Sequence, residues 1–345
     1  MVTIRDKVLK KSNDYSDIER SFFNVTRQDL TTGKGQKQKI FKIKSSVSIV
    51  IPAYMGKNLP LVLKSLEKQS FKNFEVVIVD DCSPIPIREI TSGSNFFYPI
   101  KIIRNSINRG RPMARNIGIS MSRGDVIITL DQDMMVHPDF VFNFVLRQEV
   151  TNKCVFLGLR ENIDNEKYDK HKKADFKKDW RYRQKSSEKF ILLSPVKKRV
   201  KIKNRTYHLL KETDNFKNFG NGKCVGYWDL SSMVISHSLC FKKKDVINAG
   251  GFPEDIFKGW GVEDLALGAS FIAHGKYIVP LLNCTSYHIN HERLSGSREV
   301  EWSEFLNNLT VYFNFVNTPM NQIKFNNHKA KKILSIKNIS LYRYE

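Results

Sequence analysis

The chain has 345 residues, 57 Lys and Arg against 35 Asp and Glu, and a net charge of +22. With 41% hydrophobic and 11% aromatic residues, it holds too much core material for a disordered polymer. Five cysteines without a CxxC pair exclude a zinc ribbon and a disulfide scaffold, and no apolar run reaches the ~20 residues of a membrane span.

Residues 1–44 are polar and mixed, and are expected to form a basic N-terminal arm. Val47 to Pro52 is a β-branched run stopped by proline, which predicts a buried strand. Leu59, Val62, Leu63 and Leu66 recur at helical spacing. Phe74 to Asp81 predicts a second buried strand ending in two carboxylates, and Ile100 to Arg104 a third. Arg111 to Ser122 predicts a helix, and Asp125 to Leu130 a fourth strand that runs into Asp131-Gln132-Asp133. Strand and helix alternate as in βαβ units, so residues 45–150 are expected to form a nucleotide-binding α/β half around a parallel sheet. Its ligand would sit beyond the carboxyl ends of the strands, where the polar residues gather.

Beyond residue 150 the alternation is weaker. Cys154 to Leu159 and Met233 to Phe241 are strand-like, Leu265 to Ile272 is helical, and residues 299–317 present a helical face of Phe305, Leu309, Tyr312, Phe313 and Val316. Residues 160–215 are charged and lack clear alternation. No internal repeat is present.

Five groups of residues could do chemistry. Asp131 and Asp133, one residue apart at a strand end, can share a Mg²⁺ or Mn²⁺ ion, which takes oxygen ligands. Asp80 and Asp81 can accept from a base or a ribose, or cap a turn. Arg109, Arg111 and Arg115 lie around a helix N-terminus suited to an anion. Glu263-Asp264 opens a helix after Gly259-Trp260-Gly261, either as acids on the helix dipole or as a general base. His288 and His291 follow a strand-like stretch, and either could add an imidazole to the carboxylates. Neither a P-loop nor GxGxxG occurs.

In this order the motifs resemble those of family 2 glycosyltransferases of the GT-A fold. Ser48 to Tyr54 is similar to the family's opening strand, and Val79-Asp80-Asp81-Cys82-Ser83 to its VDDGS element, with Cys82 in place of glycine. Asn108, Gly110, Ala114, Arg115, Asn116 and Gly118 match NxGxxxARNxG, and Asp131-Gln132-Asp133 matches the DxD motif. Gly250-Gly251-Phe252 and Gly259 to Asp264 resemble the GGF…GWGxED segment, with Tyr287-His288 where chondroitin-polymerase-type domains carry a metal histidine. Asp179-Trp180-Arg181 is similar to a DWR element of those domains. The resemblance covers about residues 45–295. It departs at His237-Ser238-Leu239-Cys240, where those domains have a Gly-Asn pair, and at Val262, where GWGGED has glycine.

The resemblance implies a GT-A fold, a Rossmann-like mostly parallel sheet flanked by helices, with an acceptor-binding half at 151–298 and a helical basic extension at 299–345. It implies an inverting, divalent-metal-dependent transfer from a UDP-sugar to a glycan, lipid-linked glycan or peptide. Pro52, Tyr54, Asp81, Arg115, Asp131 and Gln132 would bind the nucleotide-sugar. Asp131, Asp133 and His288 would hold Mn²⁺ or Mg²⁺. Asp264 would be the base, with Glu263 orienting the acceptor and Trp260 stacking on it. A nucleotidyltransferase, with its own paired carboxylates, is the alternative.

The charge is uneven. Residues 1–44 carry net +6, 160–215 carry +9 and 321–345 carry +5, which leaves +2 for all the rest. With no RNP, zinc-finger or basic heptad signature, nucleic acid is not the expected partner. The basic segments are read as a solvated surface or as a docking face for an anionic acceptor or membrane. Sparse, odd-numbered cysteines and the lack of a signal-peptide core point to the cytoplasm, with peripheral contact at the inner membrane face.

Overall fold

The computed structural model describes residues 1–11, 16–36, 42–91, 96–163, 191–193, 199–201, 234–291, 297–326 and 342–343. Asp179-Trp180-Arg181, Cys224 and most of the basic segment 160–215 lie outside the described residues.

The elements run in the order α1 (Ile4–Lys10), α2 (Ser16–Thr26), β1 (Val47–Ala53), α3 (Leu59–Glu67), β2 (Phe74–Asp80), α4 (Ile87–Thr91), β3 (Ile100–Arg104), α5 (Arg111–Met121), β4 (Val126–Leu130), β5 (Met134–Val136) and α6 (Phe140–Val150). Then come β6 (Cys154–Ile163), β7 (Ile191–Leu193), β8 (Arg199–Lys201), β9 (Ser238–Lys242), α7 (Lys243–Asn248), α8 (Glu263–Ala273), β10 (Tyr277–Ile289), α9 (Arg298–Phe315) and β11 (Tyr342–Arg343). The main sheet has the order β11-β3-β2-β1-β4-β9-β6-β10-β5, and β7 pairs with β8 apart from it. Strands β3, β2, β1 and β4 are parallel, and β9 joins antiparallel between β4 and β6.

Every residue of β1 is buried, which explains its mostly apolar run at the centre of the sheet; its one polar residue, Ser48, donates to Glu75 Oε1 (2.7 Å). Pro52 is tolerated there because pairing with β4 has stopped by Val50, so a missing N–H costs no ladder bond on that side. The pleat sorts side chains to two faces. Val50, Val77 and Val79 join Met113, Ala114 and Ile117 of α5, while Ile49, Ile51, Val76 and Ile78 join α3 and α6. Gly118 lets α5 lie close on β1, since a Cβ there would collide with Val50.

Two expectations for the ends of the chain change. The N-terminal segment is part of the core: Ile4 and Val8 pack on one face of the sheet, and Phe22 and Leu30 on the other. Its polar composition hid this, because only a few apolar positions per helix face inward. Helix α1 lies against α8. The buried Arg147 of α6 donates from Nε to Leu30 O (2.6 Å) and fixes that segment. The C-terminal residues are likewise more than an extension. Tyr342–Arg343 pairs antiparallel with β3, and Ile323 and Phe325 pack against the core.

Candidate active site

Strands β2, β1 and β4 end side by side, with Ala53 opposite Asp80, so both acidic strand ends lie at the same edge of the sheet. Asp80 spends its carboxylate locally. Oδ1 accepts from Ser83 N (2.8 Å), and Oδ2 accepts from Ile87 N (3.1 Å) and Arg104. Buried Asp81 accepts from Asn105 Nδ2 (2.8 Å), Arg109 N (2.9 Å) and Gly110 N (2.8 Å). It thereby holds the loop that leads into α5. Burial pushes its carboxyl above the usual range, and these hydrogen bonds oppose the rise.

Gln132 and Tyr54 exchange two bonds: Tyr54 N donates to Gln132 Oε1 (3.0 Å), and Gln132 Nε2 donates to Tyr54 O (2.7 Å). The residue between the two acids thus ties the end of β1 to the end of β4. Its carboxamide is used on the backbone.

Asp133 is set by register. His288 of β10 pairs with Met134 of β5, and Ile289 N donates to Asp133 O (2.9 Å), which brings β10 alongside the acid. Asp133 Oδ2 lies 2.9 Å from His291 Nε2 and 3.5 Å from His288 Nε2. Burial raises the Asp133 carboxyl, but the hydrogen bonds and charges of the two imidazoles outweigh it and hold it below the usual range. Asp133, His288 and His291 offer three ligand atoms within 4.8 Å of one another. Asp133 Oδ1 is buried and accepts no hydrogen bond from the described residues, which leaves a lone pair for a cation. Both histidines therefore sit at the acid, while Asp131 stands apart from this group.

Asp131 instead meets Arg115 of α5, Oδ1 to Nη2, at 2.9 Å. Arg115 is 1% exposed, and its Nη1 reaches Glu263 Oε1 (3.4 Å) and Asp264 Oδ1 (3.8 Å). Burial would lower its pKa, but Asp131, Asp264 and Glu263 outweigh that and keep it charged. The arginine of the ARN motif thus faces carboxylates of both halves. Its neighbour Asn116 exchanges bonds with Phe252, donating to the carbonyl (2.7 Å) and accepting from the amide (2.9 Å). So α5 orients the GGF turn as well.

Asp264 is delivered by the start of α8. Ser236 N donates to its Oδ2 (3.2 Å), while Oδ1 accepts no hydrogen bond from the described residues. Burial, then the neighbouring Glu263 charge, push its carboxyl up to about 6 against the pull of Arg115. A carboxylate with that affinity and an unfilled oxygen is suited to take a proton near neutral pH. Trp260, four residues earlier, is 38% exposed, and its backbone N–H donates to Glu304 Oε2 (2.9 Å). Val262, one residue before the acids, has φ +78°, a left-handed conformation that is rare for a β-branched residue.

Sequence reasoning missed Asn308 and Glu304 of α9, which secure the Gly259–Val262 loop. Asn308 Nδ2 donates to Lys258 O (2.9 Å), Trp260 O (3.2 Å) and Gly261 O (3.1 Å). A single polar residue on an otherwise amphipathic helix carries no local signal of such a role.

S. aureus TarS 1–349, solved in complex with UDP-GlcNAc, superposes with a TM-score of 0.50 over 84% of this chain and 70% of that one, at 15% identity. The molecule has the GT-A fold of glycosyltransferases. Residues 48–208, a little under half of the chain, match the glycosyl transferase family 2 model. An uncharacterized glycosyltransferase of Haemophilus influenzae is 38% identical over 94 residues, 27% of this chain and 31% of that one. The chondroitin synthase of Escherichia coli is 27% identical over 260 residues, 70% of this chain and 34% of that one. The chain thus spans about a third of the length of these two relatives.

Proposed function

We propose that the chain transfers a sugar from a UDP-sugar to a glycan acceptor, with inversion and with help from a divalent cation. The observation that carries this reading is Arg115, which joins Asp131 at the DxD strand end to Asp264 at the start of α8. A donor-side acid and an acceptor-side base are thereby held on one guanidinium.

In this reading Asp264 takes the proton of the acceptor hydroxyl as its oxygen bonds to the anomeric carbon. The bond from that carbon to the diphosphate breaks, and its electron pair leaves with UDP. Attack opposite the leaving group inverts the centre, so no second nucleophilic carboxylate is needed. Arg115 favours the ionised form of Asp264 and holds Asp131 at the mouth of the donor crevice. Glu263, buried beside Asp264, orients the acceptor, and Trp260 offers a face to its ring. Asp133, His288 and His291 fit a metal, and a bound cation would neutralise charge on the departing diphosphate. Two imidazoles in the set favour Mn²⁺ over Mg²⁺, which prefers oxygen shells. The TarS complex with UDP-GlcNAc supports a uridine donor, and the chondroitin synthase match supports a glycan acceptor.

The test is a panel of UDP-sugars with Mn²⁺, followed by UDP release and by the anomeric proton coupling of the product. UDP release with inverted configuration supports the reading. Pyrophosphate release selects a nucleotidyltransferase, and turnover unaffected by chelation removes the metal from the mechanism. Among the described residues, no helix is long and apolar enough to cross a membrane. The basic segments would bring the enzyme to an anionic surface, which cosedimentation with phosphatidylglycerol vesicles at low and high salt would detect.

A further inference from the structure

Helix α9 lies beyond the 48–208 family match, and its apolar stripe runs past the edge of the core. Phe305, Leu309, Tyr312 and Val316 are buried at helical spacing. Trp302 continues that stripe by one turn and is 52% exposed. Its indole lies nearly parallel to the Phe305 ring, with centroids 5.4 Å apart at 19°. Phe305 also meets the Trp260 ring, at 5.7 Å between centroids and 49° between planes. Two half-exposed indoles therefore flank one buried phenyl ring, and the inner indole is four residues from Asp264.

The surface is also rigid. Glu304 accepts from Trp260 N, and Asn308 donates to three carbonyls of the Lys258–Gly261 loop. Gly259 is required there, since a Cβ would run into the Glu304 carboxylate and φ is +71°. A pre-positioned pair of indole faces, tilted differently against Phe305 and with carboxylates beside it, suits the apolar C–H faces and hydroxyl rims of pyranose rings. The first turn of α9 carries Glu299 and Glu301, which disfavours an anionic lipid surface at this face.

We propose that α9 carries an outer acceptor subsite, in which Trp260 and Trp302 receive the ring faces of successive sugars of an oligosaccharide acceptor. This rests on the glycan-transfer reading above. The enzyme would then prefer acceptors of two or more rings to a single sugar or a peptide.

The experiment titrates the full chain, with UDP and Mn²⁺ present, with GlcNAc and with chito-oligosaccharides of increasing length by calorimetry. Wild type should gain roughly five- to tenfold in affinity beyond the first ring, the size of one aromatic stacking contact. Trp302→Ala should lose that gain, and Trp302→Phe should recover part of it. A gain that survives Trp302→Ala, or no dependence on length in wild type, overturns the subsite. Dimerisation abolished by Trp302→Ala would assign the face to a second copy and overturn it too. Failure of wild type to release UDP from any UDP-sugar would instead sink the transfer reading, independently of these titrations.

Discussion

Arg115 Nη1 lies 3.8 Å from Asp264 Oδ1 while Nη2 of the same guanidinium holds Asp131 Oδ1 at 2.9 Å. One buried cation thus serves three carboxylates drawn from both halves of the chain. Replacing Arg115 by Met would leave Asp131, Glu263 and Asp264 without a counter-charge, at a cost of about 3–5 kcal/mol. Arg115→Lys keeps the charge but cannot span both sides with a fork, and should fall between. Urea unfolding of the two variants checks the order.

The pH dependence of turnover should follow Asp264, whose carboxyl is pushed up to about 6. As a base it works ionised, so the rate should climb through about pH 6 and then level. Stability runs the other way. Because its folded affinity for the proton exceeds the unfolded one, stability is greatest below about pH 4 from this group and is lost as pH rises through about 6. Asp264→Asn should abolish transfer, remove that slope and raise the melting temperature at neutral pH. A mutant less stable than wild type at pH 7.5 would contradict this.

Cation binding should show in stability without any turnover. At a hundredfold excess over Kd, Mn²⁺ should stabilise the wild type by about 2.7 kcal/mol. Asp133→Asn should abolish the shift in melting temperature, and His291→Ala should reduce it. If His291→Ala leaves the shift unchanged, His291 is no ligand.

Val262 offers a test of strain. At 2% exposure and φ +78°, it gains from burial but loses from conformation. Val262→Ala gives up packing and keeps the strain, and should cost about 1.5–2.5 kcal/mol. Val262→Gly also gives up packing but relieves the strain, and should be the more stable of the two, the reverse of ordinary helix preference. Melting curves of both variants decide.

Much of the donor half was legible from residue order. Strands β1 to β4 and helix α5 fall within a residue or two of the expected runs, because buried parallel strands read as unbroken apolar stretches. The two departures from family glycines are instructive. Cys82 and Val262 both retain the left-handed backbone that glycine would supply, at φ +64° and +78°. The substitution was visible in the sequence, but the backbone it must adopt was not. Strand β10 was harder, since Pro280 and a register shift interrupt its pattern.

The sequence by itself determined the alternation of strand and helix, the acids at the strand ends, the order of motifs and the separation of charge from core. These are local properties, set by periodicity and by neighbours in the chain. Tertiary structure alone decided that both His288 and His291 reach Asp133, that Arg115 turns to Asp131 and Asp264, and that α9 clamps the Trp260 loop. Each of those contacts joins residues far apart in the chain, and only strand register and helix packing bring them within hydrogen-bonding distance.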